Sequence, residues 1–112
     1  MSEVRLTRAL VLETPTRVSD GAGGFSVVWA ALGTLWGEVL PGSGRDAAGE
    51  EVRVAAVPYR ITVRGAAVGT PSRPKPEQRL RDGSRVFTIL AVTERDPDGH
   101  HLLCFAREEV PA

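Results

Sequence analysis

The sequence predicts an all-β domain, six short antiparallel strands closed as a barrel or packed as a sandwich, with one short helix. Three observations predict it. Apolar and polar residues alternate in several separate stretches, most cleanly Tyr59, Ile61 and Val63 against Arg60, Thr62 and Arg64. Tight-turn residues stand between these stretches: Ser19 to Gly24, Asp82-Gly83, and Asp96-Pro97-Asp98-Gly99. Only one segment, between Pro41 and Pro58, carries apolar residues at helical spacing.

The first strand is expected over residues 4–13, where Val4, Leu6, Leu10 and Leu12 share a face; Arg8 is the exception, to be explained by a bulge or a rim position. Gly21, Gly23 and Gly24 supply positive φ and Asp20 can bond its own backbone, so residues 19–24 close a long hairpin. The second strand places Phe25, Val27 and Trp29 on one face. It should bend or bulge at Gly33, resume over residues 35–40, and end at Pro41-Gly42.

Ser43 to Asp46 has the spacing of a capping box, with Asp where Glu is commoner. Ala48, Val52 and Ala55 or Ala56 follow at helical spacing, loosened by Gly49 and stopped by Pro58. The third strand runs from Tyr59 to Arg64. Residues 65–78 hold three prolines and no periodicity, which makes a long loop of the kind that often carries function. A brief strand at residues 79–81 precedes the Asp82-Gly83 turn, and residues 85–94 and 101–108 form the last hairpin. Phe87 and Ile89 lie on one face of its first strand, and Val86, Leu90 and Val92 on the other. That second set needs cover, partly from a neighbouring subunit.

The chain has 112 residues, enough for one core and one domain, 1–112, that buries about two-thirds of its extended surface. Fourteen basic and 14 acidic side chains cancel, so no bulk field draws the chain to nucleic acid or to a membrane. Thirteen of the basic residues are Arg, a side chain suited to bidentate contacts at protein interfaces and equally the product of a GC-rich genome. Cys104 is the only cysteine, so no internal disulfide or cysteine-based zinc site can form, and its apolar neighbours predict a buried thiol. The N-terminal apolar run is too short for a signal peptide and nothing reaches transmembrane length, so synthesis in the cytoplasm is expected.

No catalytic constellation emerges, and no enzyme, cofactor or metal is expected. His100 and His101 are adjacent and point to opposite faces of a strand, which is poor geometry for a shared metal. Glu94, Asp96 and Asp98 lack calcium-loop spacing. Ser43 has no activating base, and Gly21, Gly23 and Gly24 precede no helix that would bind phosphate. Glu50 and Glu51 read as a solvated helix face. Arg60 and Arg64 could face nucleic acid across a ring, though a solvated strand face is the simpler reading. Trp29 and Trp36 have no basic cluster beside them, which favours core or interface packing over base stacking.

Five stretches, collinear over nearly the whole chain, resemble the phage head–tail joining family (head closure or stopper proteins) of siphophages, prophages and gene transfer agents. Asp20, Gly23, Gly24 and Trp29 are similar to its D-x-x-G-G-x-x-x-x-W hairpin. Trp36, Val39, Pro41 and Gly44 resemble W-A-x-V-x-P-x-x-G-x-E, with Gly37 in place of the Ala and Asp46 in place of the Glu. Tyr59-Arg60-Ile61-Thr62-Val63-Arg64 is similar to H-R-I-x-I-R, and residues 82–92 resemble D-G-x-x-Y-x-I-x-x-V; Leu102 to Glu109 resembles the closing strand. Ala and Val dominate the helix segment where the family is more polar, and the 65–78 loop is richer in proline.

The resemblance implies a six-stranded antiparallel barrel with a helix-bearing insertion, residues 41–57, between strands 2 and 3. It also implies a structural virion protein at the head–tail neck. Copies would form a six- or twelvefold ring below the portal adaptor, close the channel on packaged double-stranded DNA, and offer a docking surface to the tail terminator or tail tube. No membrane partner is implied. On this reading Pro41, Gly42, Ser43, Gly44, Arg45, Asp46, Gly49, Glu50 and Glu51 form a gating loop facing the lumen. Arg45 and Arg53 lie near DNA, and Trp29, Trp36, Arg60 and Arg64 meet a subunit or partner. A tail-completion protein is the nearest alternative, then an OB-like nucleic-acid-binding module, which would show salt-sensitive binding of free oligonucleotide.

Overall fold

The computed structural model describes residues 3–42 and 57–109. Six strands follow in chain order: β1 (Arg8–Ser19), β2 (Phe25–Pro41), β3 (Val57–Arg64), β4 (Arg79–Asp82), β5 (Arg85–Glu94) and β6 (His101–Glu109). All neighbours are antiparallel in the order β1-β2-β3-β6-β5-β4. The ring closes where β1 returns to β4, with Val11 opposite Arg81 and Glu13 opposite Arg79. Of the two expected architectures the barrel is therefore the one adopted. The helix expected after Ser43 lies outside the described residues.

The alternation in the sequence lines the barrel. Leu10, Leu12, Ile61, Val63, Leu80, Phe87, Ile89, Leu102, Cys104 and Ala106 are all buried in one core cluster. Tyr59 stands edge-on to Phe87 with ring centroids 5.1 Å apart. Each of the larger side chains contributes about 1.5–3 kcal/mol on removal from water.

Two bulges set the shape. In the β1–β2 ladder Leu12 faces Gly33 and Glu13 faces Ala31, so Leu32 is the extra residue. Gly33 has φ +148°, a conformation that L side chains rarely adopt, as the lone glycine in the strand pattern foretold. In β5, Ile89 faces Ala106 and Ala91 faces Phe105, so Leu90 is extra. That insertion reverses the parity, and Val92, expected on the outer face, packs against the core instead.

Other boundaries also differ from expectation. β1 begins at Arg8, not Val4, because β2 passes from β1 to β3 at Gly37, which faces Arg8 on one side and Val63 on the other. Residues before Arg8 therefore have no strand to pair with; Arg5 instead donates its backbone N–H to Glu38. Arg8 is a rim residue, ion-paired with Asp82 at the start of the barrel. Pro58, expected to stop a helix, lies inside β3 opposite Arg107. Thr62, expected on the solvated face, is buried between its lateral partners Glu38 and Leu103.

The barrel has two unlike ends. One carries the start of β1, the end of β2, the start of β3, the β4–β5 turn and the end of β6. The insertion between β2 and β3 leaves from this end. The opposite end carries the β1–β2 hairpin, the 65–78 loop and the β5–β6 turn.

Candidate functional site

The insertion end is closed by a polar plug. Arg85 and Glu108 occupy inward-facing positions of β5 and β6 and form a bidentate pair, Nε to Oε2 at 2.9 Å and Nη2 to Oε1 at 3.0 Å. Arg85 Nη2 also donates to the Tyr59 hydroxyl at 3.2 Å, and its guanidinium lies 5.0 Å from the Phe87 ring centroid. The hydrogen bond from Arg85, together with its charge, outweighs burial and holds the Glu108 carboxyl below its ordinary value. Beside this plug the two stems of the insertion are tied together: Pro41 faces Tyr59, and Gly42 donates its N–H to the Pro58 carbonyl at 2.9 Å.

Of the residues expected to form a gating loop, Pro41 and Gly42 therefore sit at a fixed rim position. Ser43, Gly44, Arg45, Asp46, Gly49, Glu50 and Glu51 lie outside the described residues, as does Arg53.

The opposite end carries an arm. Beyond the bulge, residues 13–19 of β1 and 25–31 of β2 continue as a two-stranded ribbon, and no other described strand pairs with either over Thr14 to Ser19 or Phe25 to Ala30. Phe25 is 60% exposed, Val27 57%, Val28 49% and Val18 46%, which for apolar side chains is the reverse of the barrel interior. At the tip, Asp20 Oδ1 accepts from the backbone N–H of Ala22 at 2.8 Å and of Gly24 at 3.0 Å. These bonds depress the Asp20 carboxyl and fix the turn.

A buried ionic cluster holds the arm at its base. Arg79 Nε donates to Glu13 Oε1 at 2.6 Å, Arg81 Nε donates to Glu13 Oε2 at 3.0 Å, and the Arg79 guanidinium stacks 4.1 Å from the Trp29 ring centroid. Burial alone would raise the Glu13 carboxyl; the hydrogen bonds and charges of both arginines prevail and lower it. Trp29, expected to have no basic cluster beside it, instead carries the Arg79 guanidinium on its ring. Sequence reasoning missed Glu13, Arg79 and Arg81. The available signal was the Arg-Leu-Arg alternation around core Leu80, which places both guanidinium groups on one outer face.

Trp36, Arg60 and Arg64 lie at separate positions on the outer face of the β2–β3 pair, away from Trp29. Trp36 is exposed, Arg60 faces Leu40 and stacks over Phe105 at 5.9 Å, and Arg64 borders an open hollow with Gly65, Gly99, His100 and His101. Gly65 approaches the opposing turn so closely that an added Cβ would lie 2.0 Å from the Gly99 carbonyl oxygen.

The histidines take separate partners. Asp96 accepts from the His101 side chain at 2.9 Å and from the backbone N–H groups of His100 and His101, whereas the His100 ring lies 3.5 Å from Asp98. Among the described residues no cluster of His, Cys, Asp and Glu is arranged to hold a metal. Burial pushes the Cys104 thiol up to about 12, so it is an unreactive core residue.

A barrel with unlike ends, a tethered insertion and a protruding arm offers surfaces for assembly, and comparison with known proteins points the same way. A chain in the structure of the virion of a native gene transfer agent particle is 58% identical, covering 98% of this chain and 100% of its own, with a TM-score of 0.80. A protein from Shigella flexneri 2a solved in solution shares the fold, with a TM-score of 0.71 and 23% identity over the full length of both chains. No curated protein matches significantly. The family described as phage head completion protein matches residues 1–109, and to that family this chain belongs.

Proposed function

We propose that this chain is a structural virion protein at the head–tail neck of a phage-like particle. Copies would form a ring below the portal adaptor, close the DNA channel after packaging and present a docking surface to the tail. The observation that carries this reading is the 58% identity, over nearly the full length of both chains, to a component of a native gene transfer agent virion. The unlike ends of the barrel support it, since a joining subunit needs separate surfaces for what lies above and below. The insertion supports a channel role. Its stems are fixed at the rim by the Gly42–Pro58 hydrogen bond, so a segment carrying Arg45 and Arg53 can reach toward the lumen without loosening the barrel.

The test is electron microscopy of particles from a strain lacking the gene. DNA-filled or leaking heads apart from complete free tails are expected; normally joined particles would remove the proposed function. A second variant isolates the gate. Gly44→Pro, which spares the Gly42–Pro58 hydrogen bond, should leave the barrel folded and impair DNA retention or release.

A further inference from the structure

Arg79 reaches across three strands. It opens β4 opposite Glu13 of β1, and β1 lies between β4 and β2. Its guanidinium crosses β1 to stack 4.1 Å from the ring centroid of Trp29 on β2. Trp29 belongs to the arm: it faces Pro15, two residues beyond the Glu13–Ala31 pair. One side chain rooted in the barrel thus grips the arm twice, at the Glu13 carboxylate at 2.6 Å and at the indole ring. That root is itself fixed. Gln78, the residue before it, is only 5% exposed, and its side-chain Oε1 accepts the Lys75 N–H at 2.9 Å. The Gln78 carbonyl accepts the N–H of core residue Ile89 at 2.9 Å, and Glu77 donates to the Ile89 carbonyl at 2.9 Å.

The arm's own ladder does not fix its bearing. Past Glu13, β4 has ended and the two strands pair only with each other among the described residues. Two-stranded ribbons vary most in twist, and a bulge such as the one at Leu32 is where such a ribbon bends. A side chain bridges the gap where the sheet stops.

We propose that Arg79 is the positioning residue of the arm: its guanidinium, shared between Glu13 and Trp29, sets the angle at which the arm leaves the barrel. The arm is then a preset lever. Phe25 and Val27, which alternate onto the face of Trp29, are held on one bearing and lose little freedom when something meets them. Arginine suits both grips at once, because its planar face stacks on the indole while its N–H edge bonds the carboxylate; a lysine ammonium offers only a point charge. Arg81 provides a control within the same cluster. It bonds the same carboxylate at 3.0 Å, but among the described residues only Arg79 stacks on Trp29.

The test is a distance measurement on the full chain by double electron–electron resonance, with spin labels at Ala22→Cys on the arm tip and Thr93→Cys on β5. Cys104 stays unlabelled, because it is buried and its thiol is pushed up to about 12. The parent should give one narrow distance. Arg79→Met keeps the apolar stem but loses both grips, and should broaden the distribution on the order of twofold. Arg79→Lys keeps the charge without the stacking and should fall between the two. Trp29→Leu cuts the stacking from the arm side and should match Arg79→Lys. Arg81→Met should keep the parent width. A parent-like width in Arg79→Met would overturn the proposal and assign the angle to the bulge. Equal broadening in Arg81→Met would overturn it too, since the charge around Glu13 would then suffice. The inference goes beyond the neck reading and does not depend on it: normally joined particles from the gene-deletion strain would sink that reading and leave the bracket standing.

Discussion

The arm continues two of the six strands of the barrel, yet the two lengths of those strands obey different rules. Leu10 and Leu12 of β1 are buried in the core, while Val18, only a few residues further along the same strand, is 46% exposed. The bulge at Leu32–Gly33 is the boundary. On one side the inward-facing apolar side chains of both strands are buried in the barrel; on the other, a two-stranded ribbon of a kind only marginally stable by itself keeps its apolar residues outward. Buried core and exposed apolar surface thus occupy separate lengths of one hairpin, and substitutions should divide accordingly.

The largest effect is expected in the barrel. Phe87→Ala should destabilise by about 3–5 kcal/mol, enough to unfold much of the population, measured by chemical denaturation. Gly65→Ala should follow at roughly 2–3 kcal/mol, because the new methyl group meets the Gly99 backbone and not a side chain that could move.

At the junction, Glu13→Ala should cost about 1–3 kcal/mol. That is less than the usual loss for a buried pair, since the side chains of Arg79 and Arg81 are 21% and 41% exposed and can be rehydrated. Its more specific sign is faster amide exchange over residues 14–19 and 25–31, with core strands less affected. If both regions lost protection equally, the junction would not be a boundary.

Acid should act at the same places. The native carboxyls of Glu13 and Glu108 are depressed below the ordinary value of 4.5. Their contribution is fully present above that value and is lost as the pH falls through the lower native values. Thermal unfolding followed from neutral pH downward should show a steepening loss below about pH 4.5, and Glu13→Gln with Glu108→Gln should flatten that limb. The smallest effect belongs to the arm: Val28→Glu should change stability by no more than about 0.5 kcal/mol.

Much of the strand order was legible in the sequence, though not the arm: the first strand, expected to end at Glu13, runs on to Ser19. The hairpin turn at Asp20–Gly24, the last two strands and the β3 alternation could be read because each is a local pattern of turn chemistry and side-chain period. Gly33 marked the β2 bulge for the same local reason. The β5 bulge was not legible, since Leu90 carries no glycine or proline signal and only its pairing with β6 reveals it as the extra residue. Nor was the Glu13 cluster, which joins residues far apart in sequence. The candidate interface residues Trp36, Arg60 and Arg64 do share one outer face, while Trp29 belongs to the arm base.

The seam between β1 and β4 also governs how the barrel forms. It pairs residues 11–13 with residues 79–81, the most distant pairing in the sequence among the described strands, through only three facing residues. Closing so long a loop for so few contacts carries the greatest entropic cost of any pairing here, so the seam should zip shut last, after both hairpins and the β3–β6 ladder. Glu13, which braces the seam from outside, then contributes after the rate-limiting step. Glu13→Gln should accelerate unfolding and leave the refolding rate nearly unchanged in a stopped-flow chevron; a slowed refolding limb would place seam closure in the folding nucleus.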